Sequence, residues 1–592
     1  MRIQHPASLL LRSPRGLGGR SNGIWFLLVL LGSGLQALAQ PGYPKGYFRS
    51  PVDFVIFLSG SYGETRTNHF HSGIDIRTNG EIGKPVYAAA DGYVSRVFVS
   101  PYGFGKALYI NHAAGYTTVY GHLDRFTGAI ASYVREQQYR KESFSLDMEV
   151  PTEKIKVKKG ELVGYSGNSG SSVGPHLHFE IRDARNQEPL DPIAFGIPLQ
   201  DKTRPQILTV RIYPFDDFSM VNFVNRPLSI QAVAGSNGYF LQTKDTIRVS
   251  GNIFFGIEAF DCQDQSTLQN GIKSVELKMD GQTVFRQAVE RFAFADTRYV
   301  NSVIDYALNN RTKQRVLRSY IAPGNTLDIY QDVVNRGMFN FVDDRAHKIT
   351  YIVKDGMGNV STLSFWVKSH PPPPGGARPL EPKPMGTLFS WDRPNQYHTD
   401  DIRFDMPARA LYEDIDFTCQ THPPFNGSSA RVYEIHNEET PIQLHCDLAI
   451  RAEKLPASLQ GKALVVKLEK NKFVSQGGKY SAGFVTTRIR EFGEYTVSVD
   501  TTAPKITPVN IFNNKNISRQ GNIVVTISDD LSGISSYRGT LNDQWILMDF
   551  DAKRNRLAYL FDSRLKPGVN KFHLVVTDGV GNRTEYSVTL IR

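Results

Sequence analysis

The stretch GPHLHFE, Gly174 to Glu180, alternates histidines with apolar residues. In an extended strand, successive side chains point to opposite faces. His176 and His178 then share one face, while Leu177 and Phe179 point the other way into a core. Such a triplet belongs either to a metal site or to an ordinary strand of a β-rich chain. The rest of the sequence has to supply the partners that decide between them.

Working outward, the chain reads as many short strands and turns. It has 592 residues, 40% hydrophobic and 21% charged, enough for several cores and, at this length, roughly three to five domains. The 27 Tyr and 35 Phe, with 50 Gly and 32 Pro, favour strands closed by tight turns. Runs such as GKPVYAAADGYVSRVFV and IKVKKGELVGYSGNSG show this pattern, and amphipathic helical periodicity is nearly absent outside SYVREQQYRKESF. The expected fold class is all-β and multidomain. Residues 127–153, which include SYVREQQYRKESF, read as a polar insertion between strands, either a groove wall or an inert surface loop.

The net charge of +10 is spread without a Lys/Arg block, which gives a nucleic-acid partner little support. Arg2, Arg12, Arg15 and Arg20 precede the apolar run IWFLLVLLGSGLQALA, and Ala37-Leu38-Ala39 is a small-x-small end. This predicts a secretory signal over residues 1–39, cleaved after Ala39, with no stable membrane span left after cleavage. The three cysteines, Cys262, Cys419 and Cys446, do not make a disulfide scaffold. Cys419 and Cys446 either pair or stay as free thiols.

Further candidate ligands lie upstream. NHFHSGIDI, Asn68 to Ile76, carries His71 and Asp75 four residues apart, and TTVYGHLDRF carries His122. Zinc takes nitrogen and oxygen ligands, and a catalytic site commonly has three protein ligands plus a water. Two histidines and an aspartate supply that set, and two spare histidines suit proton handling and oxyanion stabilisation.

Taken together, HSGIDI, GKPVYAAADGYV, GYTTVYGHL and KGELVGYSGNSGSSVGPHLHFEI closely resemble the lysostaphin/LytM-type zinc metallopeptidases, peptidoglycan endopeptidases built on a compact antiparallel β-sheet domain. The resemblance covers roughly residues 50–195. It implies zinc as cofactor, held by His71, Asp75 and His178, with His122 and His176 as the non-ligand catalytic histidines. All five positions are filled. The resemblance leaves open which histidine handles the water and which the oxyanion. It implies peptide crosslinks of peptidoglycan as substrate, in the periplasm or at the outer surface of a Gram-negative bacterium. The rival reading is a non-catalytic regulator or binding module for a cell-wall hydrolase or morphogenesis complex.

Other residues carry plainer expectations. His69 reads as groove-lining or as a support behind the ligands, His112 as a turn or core histidine, and Arg66 and Asn68 as solvent-facing. Glu180 is either a support for a ligating histidine or half of a surface ion pair.

The remaining chain divides into a β-rich segment over 204–369, a proline-rich linker over 370–386, a β-rich domain over 387–499 and a last segment over 500–592. YIVKDGMGNVSTLSFWV and LVVTDGVGNRTEYSVTL repeat a strand, Asp-Gly-x-Gly-Asn turn, strand pattern. Upstream, FGIEAFDCQD and NGIKSVELKMDG correspond to VVTISDDLSGISSYRGTLNDQ. The first and last of these segments resemble bacterial immunoglobulin-like β-sandwiches, which implies fold and positioning on the wall or on a protein partner, and nothing about chemistry.

Overall fold

Alternating runs fold as strands throughout: strand makes up 48% of the chain and helix 8%, so the all-β multidomain expectation holds. The computed structural model describes residues 42–592 except 244, 372–385 and 453. The expected signal and most of the expected proline linker lie outside the described residues. No helix among the described residues is long and apolar enough to cross a membrane. Cys262, Cys419 and Cys446 are all free thiols.

The first sheet has 11 strands. Its main elements are β1 (Leu58–Gly60), β2 (Ile74–Arg77), β3 (Gly92–Val99), β4 (Lys106–His112), β5 (Tyr116–Phe126), the helix α1 (Gly128–Lys141), β6 (Leu146–Glu149), β7 (Leu162–Ser166) and β8 (His176–Asp183). The central order is β1-β2-β8-β5-β4-β3, antiparallel at every step. The opening stretch therefore becomes a central strand. Leu177, Phe179 and Ile181 are fully buried on its core face, each contributing about 1.5–3 kcal/mol of apolar burial.

The insertion is not a loop. Residues 128–141 form α1, and β6 adds to the outer edge of β3. Ile130, Tyr133, Val134, Gln137 and Gln138 are the buried residues of α1, at helical spacing. Glutamine fills the last buried turn, so the apolar stripe is too short to read from hydropathy. Gln138 Nε2 donates to the Phe144 carbonyl at 2.7 Å, which satisfies part of that polar face.

Three β-rich units follow. In the first, the 14-residue strand β9 (Ile247–Phe260) pairs with Gln206–Pro214 along one stretch and, in parallel, with Val360–Ser369 along another. It thereby joins what would be two separate sheets into one 12-stranded sheet. Residues 387–499 hold two five-stranded sheets around a core that includes Phe404, Ile450, Val465 and Val497. The last unit has a four-stranded and a five-stranded sheet.

Both Asp-Gly-x-Gly-Asn motifs are hairpin turns. Asp355 Oδ1 accepts from the backbone N–H groups of Met357, Gly358 and Asn359, and Asp578 Oδ1 from those of Val580 and Asn582. Gly358 and Gly581 take φ of 93° and 81°, a region that favours glycine.

Candidate active site

Register brings the candidate ligands together. His178 on β8 lies directly opposite Asp75 on β2 and, on its other side, opposite Gly121 on β5. His71 enters from the turn before β2. Gly73 makes that turn possible, because a Cβ there would meet the Phe179 carbonyl oxygen at 2.3 Å. The strand β5 is irregular beside Gly121, and His122 takes φ of 59°, in the left-handed region that non-glycine residues seldom adopt.

Three donor atoms converge. His178 Nδ1 lies 2.8 Å from Asp75 Oδ1, and His71 Nε2 lies 3.1 Å from each of them. All three residues are buried, at 2–4% exposure. The outward atoms are committed elsewhere: His71 Nδ1 to the Ser61 carbonyl at 2.8 Å, His178 Nε2 to Glu180 Oε1 at 2.8 Å, and Asp75 Oδ2 to Arg66 Nη2 at 2.7 Å. A carbonyl only accepts, so the proton of neutral His71 sits on Nδ1 and Nε2 is bare. Glu180 fixes His178 the opposite way, with Nε2 donating and Nδ1 facing inward. The group can hold a metal ion.

His122 and His176 flank it, half-buried, with ring centroids 4.8 Å apart. His122 Nδ1 donates to the Ser169 carbonyl at 2.9 Å, and His176 Nδ1 to the Gly174 carbonyl at 2.8 Å. His176 Nε2 lies 3.3 Å from Asp75 Oδ1.

Without a metal, charge and burial compete here. Burial opposes a charge on His178, but hydrogen bonds to Asp75 and Glu180 win and hold its imidazolium up to about 9. Burial likewise opposes the Asp75 carboxylate, yet electrostatic interaction with His71 and hydrogen bonds from the three histidines keep it well below the usual range. Glu180, fully buried, falls to about 2 under Arg182 and His178. Burial, then the charges of His178 and His176, push His122 down to about 3, so it is neutral at any physiological pH.

The same segment matches a known sequence family. The model of Peptidase family M23 covers residues 69–140 and 144–192, which span all five histidine and aspartate positions. The chain carries a peptidase family M23 domain. A DD-carboxypeptidase/endopeptidase, Mpg, of Neisseria meningitidis serogroup B is 32% identical to it over 138 residues, 23% of this chain and 25% of the relative. The peptidoglycan DD-endopeptidase ShyB of Vibrio cholerae is 32% identical over 155 residues, 26% and 30% of the two chains. The chain thus spans about a quarter of the length of the curated relatives it matches. Among solved structures, the catalytic domain of the M23 protein EnpA from Enterococcus faecalis is 28% identical, covering 26% of this chain and 99% of that one, with a TM-score of 0.19. Residues 386–500 match the Zu5-like domain.

Around the M23 domain's site, several contacts escape the sequence. Arg66, expected to face solvent, instead pairs with Asp75, and Asn68 Oδ1 accepts from Asn301 Nδ2 at 2.8 Å. Of the two readings of Glu180, support for a ligating histidine is the one the structure shows: it is buried between His178, Ser72 and Arg182, not in a surface ion pair. His69 is exposed and bound to the Thr67 carbonyl, and His112 is buried against Thr118 and the Asp91 carbonyl.

Neighbouring units grip the M23 domain on two sides. The Phe70 N–H donates to Thr297 Oγ1 at 2.7 Å, and Phe292 packs on Phe70. On the other side, α1 docks the last unit. Tyr139 and Arg135 both hold Asp562, Trp545 packs edge-on against Tyr139, and the Arg564 guanidinium lies 3.9 Å from the Tyr139 ring centre. Lys553 of that unit donates to the Ser172 carbonyl at 2.9 Å, on the loop that fixes His122 and His176.

Proposed function

We propose that the chain is a secreted zinc metalloendopeptidase that hydrolyses peptide crosslinks of peptidoglycan, acting in the periplasm or at the outer surface of a Gram-negative bacterium. The observation that carries this reading is the convergence of His71 Nε2, Asp75 Oδ1 and His178 Nδ1 within 3.1 Å of one another. Two nitrogens and one oxygen, each with its other polar atom held from outside, fit zinc in chemistry and number. Zinc bound there supplies Lewis acidity and an acidified water.

The protein's own groups supply the rest. His122 has Nδ1 tied to the Ser169 carbonyl, which leaves Nε2 as the atom to take a proton from the attacking water and return it to the leaving amine. His176 is oriented by the Gly174 carbonyl and by Asp75, placing a second imidazole where charge develops on the carbonyl oxygen. Glu180 and Arg66 are positioning residues that fix His178 and Asp75.

A silent regulator is less favoured, because no ligand position is lost. The later units support a positioning role, since they contact the M23 domain directly. The test is zinc content and digestion of purified sacculi, measured together. His178→Ala loses both; His122→Ala keeps the zinc and loses digestion. A His178→Ala chain that still releases muropeptides contradicts the proposal.

A further inference from the structure

The two Asp-Gly-x-Gly-Asn hairpins share more than a turn. Each brings its aspartate into a triad with two others: Asp201, Asp261 and Asp355 in the first β-rich unit, and Asp500, Asp529 and Asp578 in the last. In each triad, one carboxylate oxygen from every member lies within 4.8 Å of the others. The members correspond pair by pair. Asp201-Lys-Thr-Arg-Pro-Gln-Ile aligns with Asp500-Thr-Thr-Ala-Pro-Lys-Ile at the entry to each unit. Asp261 and Asp529 end equivalent strands.

Most of these oxygens are already used. Asp201 Oδ1 accepts from the Thr203 N–H, and Asp500 Oδ1 from the Thr502 N–H. The Asn359 amide reaches the Asp201 carbonyl, as the Asn582 amide reaches that of Asp500. Asp261 Oδ1 and Asp529 Oδ1 are buried without a hydrogen-bond partner. Asp261 is 6% exposed. Beside it, Asn270 is 4% exposed and its Oδ1 also lacks a partner. Asn270 exchanges backbone hydrogen bonds with Asp261 and lines the same small cavity as Asp201 and Asp261. Lys273 also lines that cavity, but its ammonium is paired with Asp191 at 3.1 Å.

A buried acceptor without a donor costs about 1–3 kcal/mol, more when charged. Here the same atom is stranded at the same place in two units of different sequence. A cation resolves that cost where a hydrogen-bond donor is lacking. We propose that Asp201, Asp261 and Asp355, and equivalently Asp500, Asp529 and Asp578, are two sites for a calcium ion, one at the entry to each unit. An all-oxygen set selects a hard cation over zinc. Oxygens gathered within 4.8 Å of one another can share one ion at the Ca–O distance of roughly 2.3–2.6 Å.

The sites sit where they brace unit junctions. Gln263, two residues after Asp261, donates to the Ile56 carbonyl and accepts from the Leu58 N–H on β1, beside the strand that carries Asp75. Lys462 of the preceding unit donates to the Val580 carbonyl of the second hairpin. Calcium would thus lock each unit to its predecessor.

The test is calorimetric titration of CaCl2 into the full secreted chain, passed over a chelating resin and then reloaded with one equivalent of zinc. The expected stoichiometry is two calcium ions per chain, one in Asp261→Asn, one in Asp529→Asn and none in the double variant. Asparagine keeps the shape, and each variant is also melted with and without CaCl2. The parent Tm rises with calcium and that of the double variant does not. Unchanged stoichiometry or an equal Tm rise in the double variant overturns the proposal. So does the lack of saturable uptake by the parent up to about 10 mM, well above the roughly 10⁻³ M limit of weak extracellular calcium modules.

Discussion

Arg66 donates to Asp75 Oδ2 at 2.7 Å, while Asp75 Oδ1 faces His71, His176 and His178. The carboxylate is thus held at both ends, one by a fixed cation and one by the imidazoles. Arg66→Ala frees Asp75 to rotate, and outer-shell losses of this kind weaken metal affinity by about 10–100-fold. Zinc competition with a chromophoric chelator measures it, and Arg66→Lys restores part of the loss.

Glu180 is fully buried between His178 and Arg182. Glu180→Ala leaves the Arg182 charge unpaired in the interior, a change expected to cost about 3–5 kcal/mol. Urea denaturation of the zinc-loaded chain reads the loss. Glu180→Gln keeps the shape and should lose less stability than the alanine variant while still weakening zinc retention.

The metal-free chain should lose stability on the alkaline side. His178 has its pKa raised from 6.5 to about 9 by Asp75 and Glu180, against burial. A raised pKa contributes stability that is complete below the unfolded value and lost as pH rises through the folded one. The Tm of the metal-free chain is therefore expected to fall between pH 6.5 and 9. Zinc replaces that proton, so uptake in this window releases it. Calorimetry in two buffers of different ionisation enthalpy detects the release.

The dock of the last unit predicts a split between stability and chemistry. Asp562→Ala removes the acceptor shared by Arg135 and Tyr139, a loss expected to cost about 1–3 kcal/mol. Hydrogen exchange in Gly128–Lys141 should rise, with zinc content unchanged. Lys553→Ala frees the loop around Ser172. Its effect on sacculus digestion should stay within about fivefold, as for other exposed charged contacts.

What the sequence makes legible follows from how local each signal is. His178 and Asp75 can be found because strand alternation and motif spacing mark them within a few residues. Of the supporting shell only Glu180 is legible, as one of two readings, because the rest depends on register: Arg66 meets Asp75 across a turn, and Glu180 meets Ser72 from another strand. The helix α1 is only faintly marked, within SYVREQQYRKESF, because glutamines fill part of its buried face. The length of the strand β9 is not marked in the sequence, since each half belongs to a different stretch of sheet. Inter-unit contacts such as Lys553 with Ser172 join surface-type residues far apart in sequence and leave no periodic trace.

The most direct test of the account is muropeptide release from purified sacculi by the chain, before chelation, after chelation and after return of zinc. The account predicts crosslink cleavage that stops with the chelator and resumes with zinc. Cleavage that persists in the metal-free chain, or intact crosslinks after zinc is returned, would contradict it.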